Sequence, residues 1–209
     1  MEANIIYNID CLTGLRNLPD DSIDCCVPSP PYFNLRDYGV SGQIGLEDTP
    51  EQYIQKLVGV FHEVRRVLAP AGTLWVNIGD CYAGSGKGAA NYPDNAMKYK
   101  QGTNRGTVGR SAIVKKFDGY KSKDLIGIPW MLAFALRADG WFLRQDIIWA
   151  KPNPMPESMK DRCTKSHEYI FLLTKSPKYY FDCEAIHEKA VTSGTIPTNA
   201  PRYGGNEYT

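Results

Sequence analysis

Pro30 and Pro31 stand between Ser29 and Tyr32, just beyond the apolar run Ile23-Asp24-Cys25-Cys26-Val27. Each proline fixes φ at about −65° and removes a backbone donor, so a strand over 23–27 must end here in a stiff turn. The carbonyls of such a turn are held as acceptors with little freedom to rotate away. Ser29 and Tyr32 are thereby presented from a rigid platform at a strand's carboxyl end, where open α/β sheets place their chemistry. The pattern suits an exocyclic amine of a nucleobase, whose lone pair is delocalised into the ring. A hydroxyl or carbonyl accepting the amine hydrogens redirects that lone pair, while an aromatic ring stacks on the base.

The surrounding segments alternate as an α/β sheet requires. Ile5 to Ile9 reads as a strand, Leu12 to Leu18 as a short helix, and Ile23 to Val27 as a second strand. Thr49 then caps a helix that has Pro50 at its first position and Gln52 three residues after the cap. Ile54, Leu57, Phe61, Val64 and Leu68 recur at helical spacing and are expected to face the sheet. Pro70-Ala71-Gly72 stops that helix before a buried strand from Thr73 to Ile78. A further helix starts near Pro129 and stops at Gly140, ahead of a strand around Asp146 to Trp149. Glu168 to Thr174 and Tyr179 to Asp182, separated by Lys175-Ser176-Pro177-Lys178, predict a terminal antiparallel hairpin.

The 209 residues suffice for one domain with a sizeable core, and their apolar and charged fractions are those of a globular chain. No apolar run reaches membrane-spanning length and Met1-Glu2-Ala3-Asn4 lacks a signal-peptide pattern, so the expectation is a cytoplasmic protein without a membrane partner. The cysteines at 11, 25, 26, 81, 163 and 183 form no C-x-x-C pair and have no histidine at zinc spacing. They read as reduced, buried thiols, and no metal site is expected. A net charge of +1 hides an uneven distribution, since 83–123 holds nine lysines and arginines against Asp94 and Asp118. That segment interleaves Tyr92, Tyr99, Phe117 and Tyr120 with its cations, as a loop along a phosphate backbone does; the alternative is a solvated insertion. Gly84-Ser85-Gly86-Lys87-Gly88 imitates a phosphate loop but lacks the Ser or Thr after Lys87 and a following helix.

The ordered series of motifs resembles the N-terminal part of a DNA amino-methyltransferase of the permuted N4-cytosine/N6-adenine family, in which the catalytic loop precedes the cofactor loop. The resemblance rests on Asn8-Ile9-Asp10-Cys11, Ser29-Pro30-Pro31-Tyr32, Phe33 to Tyr38, Gly72 to Asp80, Gly140-Trp141 to Pro154, and His167 to Phe171. It covers most of the chain to about residue 182. It implies a partial Rossmann-like methyltransferase sheet over 1–182, interrupted by the basic insertion 83–123, with 183–209 opening a target-recognition region.

On this resemblance Tyr32 stacks on a nucleotide rotated out of double-stranded DNA, Ser29 accepts from its exocyclic amine, and the Pro30 carbonyl takes the second hydrogen. Pro31 completes the rigid turn, and Cys25 and Cys26 are structural. Ser29 favours the N4 amine of cytosine; N6-adenine methylation, N-methylation of protein or RNA, and a non-catalytic DNA-binding remnant are the alternatives. Lys115, Lys116 and Lys121 are the DNA-binding candidates. The implied cofactor is S-adenosylmethionine, with Asp10 either approaching its adenine or capping the Leu12 helix. The Phe-x-Gly-x-Gly turn that holds the methionine part of that cofactor is absent from the sequence. The chain therefore reads as truncated before it, completed by a C-terminal portion or a complementing subunit, and inactive alone.

Overall fold

The computed structural model describes residues 4–84, 117–154, 156–157 and 160–187. The elements are α1 (Cys11–Arg16), β1 (Ile23–Cys26), α2 (Pro50–Val67), β2 (Leu68–Ile78), α3 (Ile128–Ala138), β3 (Phe142–Ala150) and β4 (His167–Thr174), with a 3₁₀ turn at Glu184–Ile186. Four strands make one sheet in the order β1-β2-β4-β3. β1 and β2 run parallel, whereas β4 is antiparallel to both β2 and β3. The carboxyl ends of β1, β2 and β3 thus share one sheet edge with the first residues of β4.

Local sequence explains the main helix. The Thr49 hydroxyl accepts from the Gln52 amide at 3.2 Å, and Pro50 occupies the first turn, where its missing N–H costs nothing. Ile54, Leu57, Phe61 and Val64 are buried as their helical spacing predicts, whereas Leu68, equally buried, already opens β2, so the helix ends at Val67 and the strand runs through Pro70-Ala71-Gly72 instead of beginning after it. They share one core with Leu74, Val76 and Ile78 of β2, Phe171 and Leu173 of β4, and Ile128, Leu132 and Leu136 of α3. The cross-strand pairs Leu74–Leu173 and Val76–Phe171 put these side chains on the same sheet face. Each such side chain contributes about 1.5–3 kcal/mol by leaving water. β2 follows α2 without a loop, and the register against β1 shifts between Ile23 and Cys25. Gly72 sits at that irregularity, where a Cβ would stand 2.9 Å from the Ala69 carbonyl oxygen and 3.1 Å from that of Asp24.

Three sequence expectations are corrected. Ile5 to Ile9 is not a strand; it has no neighbouring strand to hydrogen-bond among the described residues, and Ile5, Ile6, Tyr7 and Ile9 are exposed. Tyr179 to Asp182 does not pair with β4, because β2 and β3 already occupy both edges of β4. The segment turns back instead onto the bulge, with the Tyr180 amide donating to the Ala71 carbonyl and the Ser176 hydroxyl to the Pro70 carbonyl. The antiparallel partner of β4 at the sheet end is β3, not the downstream segment. Finally, the six cysteines are unpaired, but Cys11, Cys25, Cys163 and Cys183 are exposed rather than buried. Cys26 is half-buried, and burial together with the neighbouring Cys25 pushes its thiol up to about 11.

Asp80, just past β2, ties the sheet to α3. Its carboxylate accepts from the Gly127 and Ile128 amides, each at 3.0 Å, and from the Cys81 amide at 2.9 Å. Gly127 itself has φ +84° and offers no side-chain cap, so a carboxylate from 47 residues upstream satisfies the helix's first donors. Asp80→Ala is expected to lower unfolding stability by about 1–2 kcal/mol, with Asp80→Asn recovering part of it. Urea denaturation of the two variants checks this.

Candidate active site

The turn after β1 is held from three directions. The Pro28 carbonyl accepts from the Asn77 amide at 3.1 Å, extending the contact between β1 and β2 past the end of β1. The Pro31 carbonyl accepts from the Tyr53 hydroxyl of α2 at 2.9 Å, and the Tyr32 carbonyl from the Leu35 amide at 3.2 Å. Ser29 is exposed, and neither its carbonyl nor that of Pro30 accepts a hydrogen bond among the described residues.

Tyr32 is clamped at both ends of its side chain. Its hydroxyl lies 2.9 Å from Asn77 Oδ1 and 3.0 Å from Glu168 Oε2, and it donates its one hydrogen between them. Its ring packs on Gly79 so closely that a Cβ there would meet ring carbons at 2.6 and 2.9 Å. The Ser29 hydroxyl reaches the same Asn77 oxygen at 3.4 Å. Asn77 Nδ2 donates to the Tyr169 carbonyl at 3.2 Å, which fixes the amide's orientation, and to Glu168 at 3.4 Å. Glu168 is also paired with Lys151. Burial raises the Glu168 carboxyl, but the hydrogen bonds from Lys151 and Tyr32 and the lysine charge outweigh it and hold the group below the ordinary carboxylate range. Burial, opposed by the Ser29 hydrogen bond and reinforced by the Glu168 charge, pushes the Tyr32 phenol up to about 12. Tyr32 therefore remains a neutral donor at physiological pH.

Tyr32, Gly79, Lys151, Glu168, Lys165 and Pro154 help line a cleft of about 370 Å³ at this sheet edge. A larger cavity of about 660 Å³ lies beside Cys25, Thr73, Trp75 and Phe181 and includes no residue of the Ser29–Tyr32 turn. The smaller cleft is the chemically equipped one. Asp10 lies outside both lining sets. It caps α1, accepting from the Thr13 amide at 3.0 Å and the Thr13 hydroxyl at 3.2 Å, and the amide bond leads the lowering of its carboxyl pKa.

The basic segment divides. Lys115 and Lys116, with all of 85–116, lie outside the described residues, as do 188–209 of the expected recognition region. Lys121 is exposed. Phe117, expected among the cations as a stacking group, is buried instead, 5.4 Å from the Phe33 ring. Tyr120 packs on Phe117 and donates its hydroxyl to Glu51 of α2. Both aromatics pin the end of the segment to the core.

The residues around Tyr32 that the sequence reading left without a role are Asn77, Gly79, Lys151, Lys165 and Glu168. Two carried a local signal. Asn77 is a polar residue inside Leu74-Trp75-Val76-Asn77-Ile78, and Glu168 opens the apolar run Tyr169 to Leu173.

The Ser-Pro-Pro-Tyr turn at the carboxyl end of β1 lies within the stretch that sequence comparison matches. The family described as DNA methylase, of N6 and N4 methyltransferases, matches residues 23–197. The chain belongs to this DNA methylase family. The type II methyltransferase M.Cfr9I of Citrobacter freundii is 52% identical over 189 residues, covering 90% of this chain and 60% of the relative. M.SmaI of Serratia marcescens is 50% identical over 185 residues, covering 87% of this chain and 59% of the relative. This DNA methylase chain thus spans about 60% of the length of these relatives. The fold is shared with PvuII DNA methyltransferase (cytosine-N4-specific), at a TM-score of 0.55 and 17% identity over 84% of this chain and 50% of that one. It is also shared with a putative DNA modification methylase of Thermus thermophilus complexed with S-adenosyl-L-methionine, at a TM-score of 0.51 and 22% identity over 84% of this chain and 55% of that one.

The contact between Tyr32 and Gly79 yields a stability test. Gly79→Ala must displace a ring whose hydroxyl is fixed, so a loss of about 1–3 kcal/mol is expected from overpacking. Tyr32→Ala made in the same chain is expected to relieve most of that loss. Denaturant unfolding of the four-member cycle measures the coupling.

Proposed function

We propose that this chain provides the base-side half of an S-adenosylmethionine-dependent DNA methyltransferase that modifies the N4 amine of a cytosine turned out of the duplex. The observation that carries the reading is the Ser29–Tyr32 platform, with two acceptors left open beside an immobilised aromatic ring. The Ser29 hydroxyl has its one hydrogen turned inward to the Asn77 and Tyr32 oxygens beside it, which leaves its lone pairs for an incoming donor. The Pro30 carbonyl is the second acceptor, its rotation limited by the flanking prolines. With one amine hydrogen on each, the lone pair of the amine leaves conjugation and points out of the base plane. Tyr32 stacks on the base, and Asn77, Glu168 and Gly79 keep its ring from turning. The nucleophile is the base itself, and one amine proton passes to water once the new bond has formed.

S-adenosylmethionine, when bound, supplies the electrophilic methyl group. The described residues do not by themselves form a cradle for it. Gly79, the glycine directly after β2, is filled by the Tyr32 ring, and Asp10 is engaged as a helix cap. We therefore assign the donor site to a polypeptide portion that extends the chain to the length of its relatives, with Asp10 at its border. The cations of 83–123, including Lys115, Lys116 and Lys121, are assigned to the phosphates of double-stranded DNA. The choice of cytosine over adenine rests on Ser29 at the head of the turn.

The purified chain is expected to transfer no label from radiolabelled S-adenosylmethionine to DNA, whereas the extended polypeptide methylates, because misplacing the donor by about 1 Å costs about a hundredfold. Robust transfer by the chain alone, or tight cofactor binding in calorimetry, overturns this division of the site. Nuclease digestion and mass spectrometry of the product identify the base, N4-methylcytosine being expected.

In the extended polypeptide, Tyr32→Phe keeps the ring and loses only its anchor. It is expected to retain far more activity than Tyr32→Ala, which forfeits stacking of about 1–3 kcal/mol. Equal loss in two folded variants removes Tyr32 from the stacking role.

A further inference from the structure

The cleft beside Tyr32 is walled by several charged side chains, and all but one are committed. Lys151 pairs with Glu168, which also receives the Tyr32 hydroxyl. Glu157 pairs with Arg162, and Asp80 is occupied by the amides at the start of α3. Lys165 differs. It is half-buried on the same wall, and its ammonium makes no ion pair or hydrogen bond among the described residues. Burial depresses its pKa, and the attraction of Asp80 and its acidic neighbours only partly opposes that. A half-buried ammonium whose N–H groups have no hydrogen-bond acceptor is costly even with carboxylates nearby, and an acceptor entering the cleft relieves the cost.

The kind of acceptor follows from the neighbours. Asp80, Glu157 and Glu168 line the same cleft, so an anionic phosphate brought to Lys165 meets three carboxylates, whereas a neutral base does not. Cytosine carries its N3 and O2 acceptors in sequence beside the N4 amine. Adenine carries N1 beside its amine and then a C2–H, which accepts nothing.

We propose that Lys165 is a base-reading residue whose ammonium donates to the O2 and N3 edge of the cytosine seated on Tyr32. The inference rests on the base-side reading above and deepens it, since it places discrimination against adenine in a side chain outside the Ser29–Tyr32 turn. Lys165 acts by hydrogen bonding only, and the transfer chemistry is unchanged.

The test pairs the residue with one atom of the base. Methylation by the extended polypeptide is measured on a duplex carrying cytosine at the target position and on one carrying 2-thiocytosine, which keeps the amine and N3 but replaces O2 by a weaker acceptor. The wild-type protein is expected to favour the oxygen substrate in kcat/KM by about tenfold, the scale of one base-edge hydrogen bond. Lys165→Met is expected to lose about that factor on cytosine and to treat the two substrates alike, and Lys165→Arg to restore part of the preference.

A wild-type protein indifferent to the sulfur, or a Lys165→Met variant that keeps the preference, overturns the proposal. Equal loss on both substrates, with the salt dependence of duplex binding reduced by about one phosphate contact, also overturns it and makes Lys165 a backbone contact. Tyr32→Ala in the same assay separates the two levels. Loss of methylation in Tyr32→Ala with no effect of Lys165→Met rejects Lys165 alone, and no loss in either rejects the base-side reading itself. Lys165→Gln, with circular dichroism on every variant, guards against reading misfolding as specificity.

Discussion

Strand β4 runs against both of its neighbours, and that reversal is what assembles the cleft. Had β4 been parallel, its carboxyl end would have joined those of β1, β2 and β3, and Glu168 would lie at the far end of the sheet. Running backward, it sets His167 opposite Ala150 and Tyr169 opposite Ile78. The Glu168 carboxylate thereby comes to Tyr32, Asn77 and Lys151 at once. Hydrophobic register maintains this arrangement, because slipping β4 by one residue turns Phe171 and Leu173 out of the core.

Asn77 is the centre of the polar network, and the network explains why the site is stiff. A half-buried amide on the face of β2 opposite Leu74, Val76 and Ile78 costs free energy unless its groups are satisfied. Asn77 meets that demand with Ser29, Tyr32, Glu168 and the Tyr169 carbonyl. Satisfying one polar residue of β2 therefore constrains the turn after β1, the start of β4 and, through Lys151, the end of β3. The pair of Lys151 and Glu168 matters here for where it holds the carboxylate more than for its net stabilisation, since partly buried ion pairs surrender much of their attraction to desolvation.

Sequence reading succeeded where the physics is local. The cap at Thr49, the helical spacing from Ile54 to Val64 and a strand that ends before Ser29 are properties of short stretches, and each appears in the structure. It failed where a strand depends on a neighbour. Ile5 to Ile9 has strand composition without a ladder, and Tyr179 to Asp182 follows β4 closely but finds both of its edges taken. Asn77 and Glu168 are visible as polar exceptions in apolar runs, yet nothing in the sequence joins residues 91 positions apart. Phe117 and Tyr120 show the converse error, since aromatics among cations suggest stacking on a ligand while in fact Phe117 packs on Phe33 and Tyr120 bonds Glu51.

The bond from Tyr32 to Glu168 spans 136 residues of chain. During synthesis the Ser29–Tyr32 turn leaves the ribosome long before β4 exists to hold it, an interval on the order of 10 s at ordinary elongation rates. Over that interval α2 and β2 are already available, so Tyr53 and Asn77 fasten the backbone of the turn first. The Tyr32 hydroxyl acquires its carboxylate only when β4 slides between β2 and β3. The last hold on Tyr32 is thus added separately from the rest in the birth of the molecule, and a nascent chain arrested before residue 167 keeps a shaped turn whose ring rests on Gly79 and Asn77 without its carboxylate.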